Sequence, residues 1–390
     1  MKILHTVESY DPSTGGMQEV VKQISEHLVQ KGHCVTVATS KYHSRTFFSL
    51  NGVTIKEFDI SGNFVTGYRG DITSYQQFLL NSDFDIITNF AAQQWATDLM
   101  LPLLKGIKTK KVFVPTGFSA LHLPEYSDYF EKMKEWMNLY DMNVFLSDTY
   151  QDINFARKFG VKNLTIIPNG ASELEFNREE TINIRKDLGI PADQFLILHV
   201  GSHTGAKGHS EAIEIFRGAD LKNVTFIIVG NVFSKSCYKT CKNKELFFRL
   251  NPVNYIRNKH LSVRSLTRDQ TIALYKTSDL FLFPSNIECS PIVLFECLAS
   301  KTPFLTTDVG NADEIIQWSH AGEMLPTKKD ERGYSHAEIP GSAHMLEDLY
   351  YDSEKRRMMT NSGFKVWQEK FGWNAIAQQY YDMYAILLKR

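Results

Sequence analysis

At 390 residues, 43% hydrophobic and 22% charged, the chain has a globular balance and about twice a usual single-core length, which excludes disordered and fibrous classes and favours two domains. Lysine and arginine total 43 against 44 aspartates and glutamates, so no net field directs the chain to nucleic acid. Cys34, Cys237, Cys241, Cys289 and Cys297 are too few for a disulfide scaffold, and the C-x3-C pair Cys237/Cys241 lacks a second His or Cys pair at zinc-finger distance, so no metal is expected.

The opening residues, MKILHTVESY, enter an apolar alternating segment without a charged leader or cleavage site, and so predict a first strand. Ile3–Val7 as strand, a Gly15-Gly16 turn, the helical period Val20, Val21, Ile24, Leu28, then Gly32 and a strand at Cys34–Ala38 make a β-α-β unit. Strands at Val53–Phe58, Asp85–Asn89, Lys111–Pro115 and Asn143–Leu146 continue the alternation. Leu164–Pro168 closes it before the turn Pro168-Asn169-Gly170 and a polar stretch, Ser172–Lys186. The pattern restarts with a strand at Phe195–Gly201, a helix at Ser210–Phe216 and a strand at Val224–Gly230. Strands at Leu280–Phe283 and Pro303–Thr306 then flank a helix, and Trp373–Leu388 reads as a terminal helix. Lys235–Thr267, rich in lysine and arginine, receives no element.

Strands interleaved with helices predict parallel sheets covered on both faces: an α/β chain of two Rossmann-like, doubly wound domains, 1–170 and 190–372, facing a central cleft at the strands' carboxyl ends. No stretch approaches eighteen uncharged apolar residues. With reduced cysteines, a cytoplasmic location is expected, with at most peripheral membrane contact through the basic runs Lys105–Lys111 and Lys235–Arg268.

The most informative stretch runs from Asp279 to Glu314. A strand ends at Pro284-Ser285, a short loop carries Glu288, and a helix opens near Ser290-Pro291, with Ser as N-cap and Pro at the first helical position. The helix start, Ser290, Pro291, Ile292 and Val293, offers N–H groups and a partial positive charge suited to a diphosphate. Glu296, about one and a half turns in, leans back toward that end. Glu288 and Glu296 stand eight positions apart, about 12 Å if helical, against roughly 5 Å for the carboxylate pair of a retaining hydrolase; the two are not a hydrolase acid and nucleophile. Lys207-Gly208, in a glycine-bounded loop after Gly201, places a cation where charge builds on a departing diphosphate.

The Glu288/Glu296 spacing, with Pro284-Ser285 before it and Thr306 to Gly310 and Glu314 after it, resembles the E-x7-E signature of glycosyltransferase family 4, retaining enzymes of the glycosyltransferase B fold. Gly15-Gly16 with Gly32-His33, Ile167 to Gly170, and Gly201 with Lys207-Gly208 extend the resemblance over nearly the whole chain. It implies that the second domain binds a nucleotide diphosphate sugar, Glu296 at the ribose and Glu288 at sugar hydroxyls, and that the first binds the acceptor, with helix 373–390 packing back on it. It further implies UDP- or GDP-sugar donors, a saccharide or lipid-linked acceptor, and same-face attack assisted by the leaving phosphate, with no metal or other cofactor. Gly15, Gly16, Gly201, Ser202 and Lys207 join the donor set.

Two departures stand out. The family carries an arginine where this chain has Ser202, and Arg264 or Arg268 is a candidate substitute. The acceptor-side histidine is also missing, and His122 is the nearest, hence a catalytic candidate beside Glu288 and Lys207. Asn89, Gln93, Gln94, Trp95, Phe118, Tyr126 and Tyr129 form a polar and aromatic set suited to a sugar acceptor, although each fits a core position too. A nicotinamide-dependent oxidoreductase lacks its G-x-G-x-x-G here. A binding protein that keeps the fold without turnover stays open.

Overall fold

A computed structural model describes residues 1–389. The chain divides into two compact units, Met1–Asn169 with Trp373–Arg390, and Gly170–Gly372.

In the first unit an eight-stranded sheet runs in the spatial order Leu164–Ile166, Met142–Phe145, Lys110–Val114, Ile86–Phe90, Lys2–Thr6, Cys34–Ser40, Val53–Phe58, Ser49–Leu50. Only the last short strand pairs antiparallel. Ile3, Leu4, Ile86 and Ile87 are fully buried, as strands covered on both faces require. The central strand also buries His5, whose Nδ1 lies 2.8 Å from Ser25 Oγ and whose Nε2 lies 3.3 Å from Tyr384 Oη. Burial lowers its pKa to about 3. Tyr384 belongs to the terminal helix Trp373–Lys389, which lays Ile376, Ala377, Tyr380, Tyr384 and Leu387 inward and packs beside the helix Gly16–Gln30. Lys111 departs from its reading as part of a basic run available for peripheral membrane contact. It is buried, and its ammonium donates to the carbonyls of Ile107 and Thr109.

The second unit holds a six-stranded parallel sheet in the order Lys259–Arg264, Val224–Val229, Phe195–Val200, Leu280–Phe283, Phe304–Thr306, Gly322–Met324. Residues 171–189, left outside both domains by sequence, belong here: Ala171 bridges Gly372, and Phe176 and Ile184 enter the apolar core. The stretch left without an element contains the helix Lys235–Leu250, capped by Ser234, the short helix Pro252–Ile256, capped by Asn251, and the edge strand Lys259–Arg264. That strand buries Lys259, Leu261 and Val263 on one face. A lysine at an inward position hides the apolar alternation. Its ammonium donates to Ala219 O at 2.7 Å and lies 4.7 Å above the Phe216 ring, and burial lowers its pKa to about 8. Among the described residues, no helix is long and apolar enough to cross a membrane.

Candidate active site

The carboxyl ends of the second unit's central strands carry two interlocked loops. Residues 201–208 follow the strand Phe195–Val200, and residues 284–291 follow Leu280–Phe283. Asn286 N–H donates to Ala206 O at 3.0 Å, and Ser285 Oγ lies 3.3 Å from the same carbonyl. Gly208 has φ +64, and a Cβ there would fall 1.7 Å from Pro284 O. The left-handed conformation and the close approach both require glycine. Gly208→Ala is therefore expected to cost more than about 2 kcal/mol of stability. Gly205→Ala, at φ +95 with nothing within 4 Å, should cost only the backbone preference; the midpoint difference in chemical denaturation measures the contact.

Lys207 and Glu288 meet across these loops. The ammonium lies 2.6 Å from Glu288 Oε1, and Ser285 Oγ donates to the same oxygen at 2.9 Å. The helix that follows is Ile292–Ser300 with Pro291 as N-cap, one residue later than Ser290 as cap would give. Ser290 and Pro291 end the loop, and Ile292 and Val293 form the first turn. Glu296 is 4% exposed, and its Oε1 lies 2.6 Å from Arg268 Nη2. Arg268 opens the helix Arg268–Thr277 and also grips Glu175 with two bonds, Nε to Oε1 at 3.0 Å and Nη2 to Oε2 at 2.6 Å. Burial opposes its charge, but Glu296 and Glu175 outweigh it and hold the guanidinium pKa well above its ordinary value.

Of the two arginines weighed against Ser202, Arg268 is the one paired with Glu296. Arg264 ends the edge strand on its exposed face and donates to Ser262 Oγ at 2.8 Å. Gly201 keeps its place beside Lys207, since a Cβ there would sit 3.2 Å from Lys207 Cβ. Ser202 contributes its carbonyl to a turn with Thr204. The arrangement presents an ammonium, a guanidinium, three carboxylates and a helix start on the loops and helices that follow the strand ends, a set able to hold an anionic group and hydroxyls together.

In the first unit, the ends of Ile86–Phe90 and Lys110–Val114 lead into loops with positive φ at Ala91 (63°), Gln93 (63°), Thr116 (58°), Gly117 (107°) and Phe118 (51°). So many left-handed residues persist only where the surroundings over-determine them. Gln151 Nε2 donates to the carbonyls of Gly117 and Phe118, and Asp152 accepts from Gly117 N–H at 2.9 Å. Gln93 Oε1 accepts from Ser119 Oγ at 3.4 Å, and Tyr126 Oη accepts from Asn63 Nδ2 at 3.2 Å, so Gln93 and Tyr126 stay at the partly open rim. His122 is exposed nearby in sequence.

Five acceptor candidates require correction. Asn89 is fully buried with both ends of its amide used, Nδ2 donating to Thr6 Oγ1 at 2.7 Å and Oδ1 accepting from Tyr140 Oη at 2.8 Å. Trp95 is fully buried and donates to Ser40 Oγ, and Phe118 is 1% exposed among Phe113, Phe130 and Phe155. They are core side chains that shape the loops from beneath. Gln94 and Tyr129 are buried as well. Gly15 is extended and caps the helix Gly16–Gln30, with Gln18 Oε1 2.5 Å from where a Cβ would lie.

Beneath these loops Asp98 accepts from Tyr129 Oη at 2.9 Å and from Phe64 N–H at 3.1 Å. Burial raises its pKa to about 6, the hydrogen bonds from Phe64 N–H and Tyr129 Oη offsetting only part of the cost. A raised carboxyl contributes stability that is present below its unfolded value and is lost as pH rises through the folded value. Asp98→Asn abolishes that titration, so its stability relative to wild type should rise between about pH 4 and about pH 7, by up to roughly 3 kcal/mol. Urea titrations at the two ends of that range check the sign; a constant difference would show that Asp98 titrates normally.

Glu175 and Ser285 escaped the sequence reading as site residues. Glu175 stands 93 positions from Arg268, so no local spacing announces the bond. Ser285 was legible only as part of a strand end.

The Glycosyltransferase Family 4 profile matches residues 14–173, and the Glycosyl transferases group 1 profile matches residues 180–365. An uncharacterized glycosyltransferase of Methanocaldococcus jannaschii is 25% identical over 412 aligned positions, covering 100% of this chain and 99% of that protein. Among solved structures, sucrose-phosphate synthase from Thermosynechococcus elongatus superposes with a TM-score of 0.78 at 17% identity, covering 100% of this chain and 99% of that one. Anabaena HepE in complex with UDP and glucose gives 0.75 at 16% identity, covering 99% of each chain.

Proposed function

The chain belongs to glycosyltransferase family 4 and has the glycosyltransferase B fold, and from that premise we propose that it transfers a hexose or related sugar, with retention, from a UDP- or GDP-sugar to a hydroxyl of a saccharide or lipid-linked saccharide. The observation that carries this reading is the Lys207–Glu288 contact of 2.6 Å at the strand ends, with the Arg268–Glu296 pair on the helices that follow. In it, Lys207, Arg268 and the start of the helix Ile292–Ser300 take the diphosphate, Glu288 the sugar hydroxyls and Glu296 the ribose. Positive charge fixed before the bond breaks stabilises the departing diphosphate without a metal at the chemical step. The leaving phosphate then takes the acceptor's proton on the face it vacates, so no separate base is assigned, and His122 is not needed for this step.

A uridine donor is supported by the UDP complex of the structurally similar Anabaena protein. Peripheral contact with anionic lipid is supported by Phe247, Leu250, Val253, Tyr255 and Ile256, exposed on two helices of which the first carries Arg249 and the second is followed by Arg257.

Melting with a panel of UDP- and GDP-sugars, followed by product analysis, tests the reading. A donor at a hundredfold excess over its Kd should stabilise the fold by about 2.7 kcal/mol. No shift with any nucleotide sugar would overturn it, and a shift without hydrolysis or transfer would favour a binding protein of the same fold.

A further inference from the structure

Beside the loop that carries Lys207, the second unit gathers three groups that sugar transfer leaves unused. His203 is fully buried, and its backbone is held from both sides: its N–H donates to Asn231 O at 2.8 Å, and its carbonyl accepts from Ser234 N–H at 2.6 Å. Ser234 caps the helix Lys235–Leu250, on which Cys237 and Cys241 stand one turn apart on the same face. Cys237 Sγ lies 3.6 Å from His203 Nδ1, and the ligand atoms of His203, Cys237 and Cys241 all fall within 4.8 Å of one another. Among the described residues that thiol is the only polar partner of the His203 ring, since Nε2 has none. The ring is oriented by stacking on His209, centroids 4.2 Å apart, and by the edge-on contact with Tyr238.

The His203–Cys237 separation of 3.6 Å suits a tetrahedral ion. Bonds of about 2.3 Å to sulfur and about 2.0 Å to imidazole nitrogen, at a tetrahedral angle, place those two ligands about 3.5 Å apart. The donor set, two sulfurs and one imidazole, favours a thiophilic ion over magnesium or calcium. Cys241 is 1% exposed, whereas Cys237 is half-buried, which leaves an approach from that side. The third ligand lies 34 positions before Cys237, so the C-x3-C spacing alone did not announce the site.

We propose that His203, Cys237 and Cys241 bind one thiophilic divalent cation of the zinc class, with water in the fourth position. The two thiol protons leave to solvent on binding. The ion would tie the loop 201–208 to the helix Lys235–Leu250, four residues from Lys207 but outside the transfer step.

Cobalt(II) added to the reduced full-length protein is the direct probe. One equivalent should bind, with thiolate-to-metal charge transfer and the strong visible bands of a tetrahedral site, and zinc should displace it. Cys237→Ser, at a half-exposed position, should abolish the charge transfer. Cys241→Ser should do the same where its melting curve shows it folded, and His203→Gln should weaken binding at least about tenfold. Cys34→Ser, at an exposed cysteine elsewhere, should leave the signal intact. Zinc should raise the melting temperature of wild type and not that of Cys237→Ser. Absence of charge transfer, its survival in Cys237→Ser, or a spectrum of nitrogen and oxygen ligands alone would overturn the assignment.

Discussion

Lys207→Ala is expected to lower the rate of sugar transfer about a hundredfold or more, the usual scale for losing a charged stabiliser of a leaving group, with little change in melting temperature. The side chain is 28% exposed and its carboxylate partner 13%, so the pair lies at the rim of the core and its loss does not open a cavity. Glu288 retains the Ser285 hydroxyl as a donor when the lysine is gone. Glu288→Gln should lose rate on the same scale: the amide oxygen still accepts from Lys207 and Ser285, but the negative charge is lost. Because the two side chains contact each other, the double variant should fall well short of the product of the single effects. Steady-state kinetics with the preferred donor decide the matter. A wild-type rate in Lys207→Ala would reduce the lysine to an ordinary partner of Glu288.

Glu296→Ala should weaken nucleotide binding by roughly 1.5 to 3 kcal/mol, about ten- to 150-fold in Kd, because the ribose loses an ionised hydrogen-bond acceptor. The fold should tolerate the change, since Arg268 keeps its two bonds to Glu175. Arg268→Ala is the informative contrast. It leaves Glu296, 4% exposed, without its cation, and a buried carboxylate deprived of its partner destabilises more than the pair stabilised. Its melting temperature should therefore fall further than that of Glu296→Ala. Calorimetric titration with the nucleoside diphosphate and thermal melts of both variants measure the two effects. Unchanged affinity in Glu296→Ala would remove that carboxylate from the nucleotide site.

Much of this molecule was legible without coordinates because it is written locally. The strand, glycine turn and helix of Ile3 to Leu28, repeated from Phe195 onward, express periods of two and 3.6 within short windows. The loop from Pro284 to Pro291 joins a strand to a helix, so the placement of Glu288 and Glu296 near that helix start follows from chain direction alone. What the sequence could not decide was which partner each charge takes and which face each side chain presents. Arg264 and Arg268 are four residues apart, yet one lies on the exposed face of an edge strand and the other bridges Glu175 and Glu296. Lys207 finds Glu288 across 81 positions. Asn89, Trp95 and Phe118 have the composition of a sugar site, but the tertiary fold turns them into the core. Local periodicity encodes an element and its amphipathic face, whereas burial and ion pairing are fixed by what packs on that face. Those neighbours come from distant segments that only the assembled sheets and helices bring together.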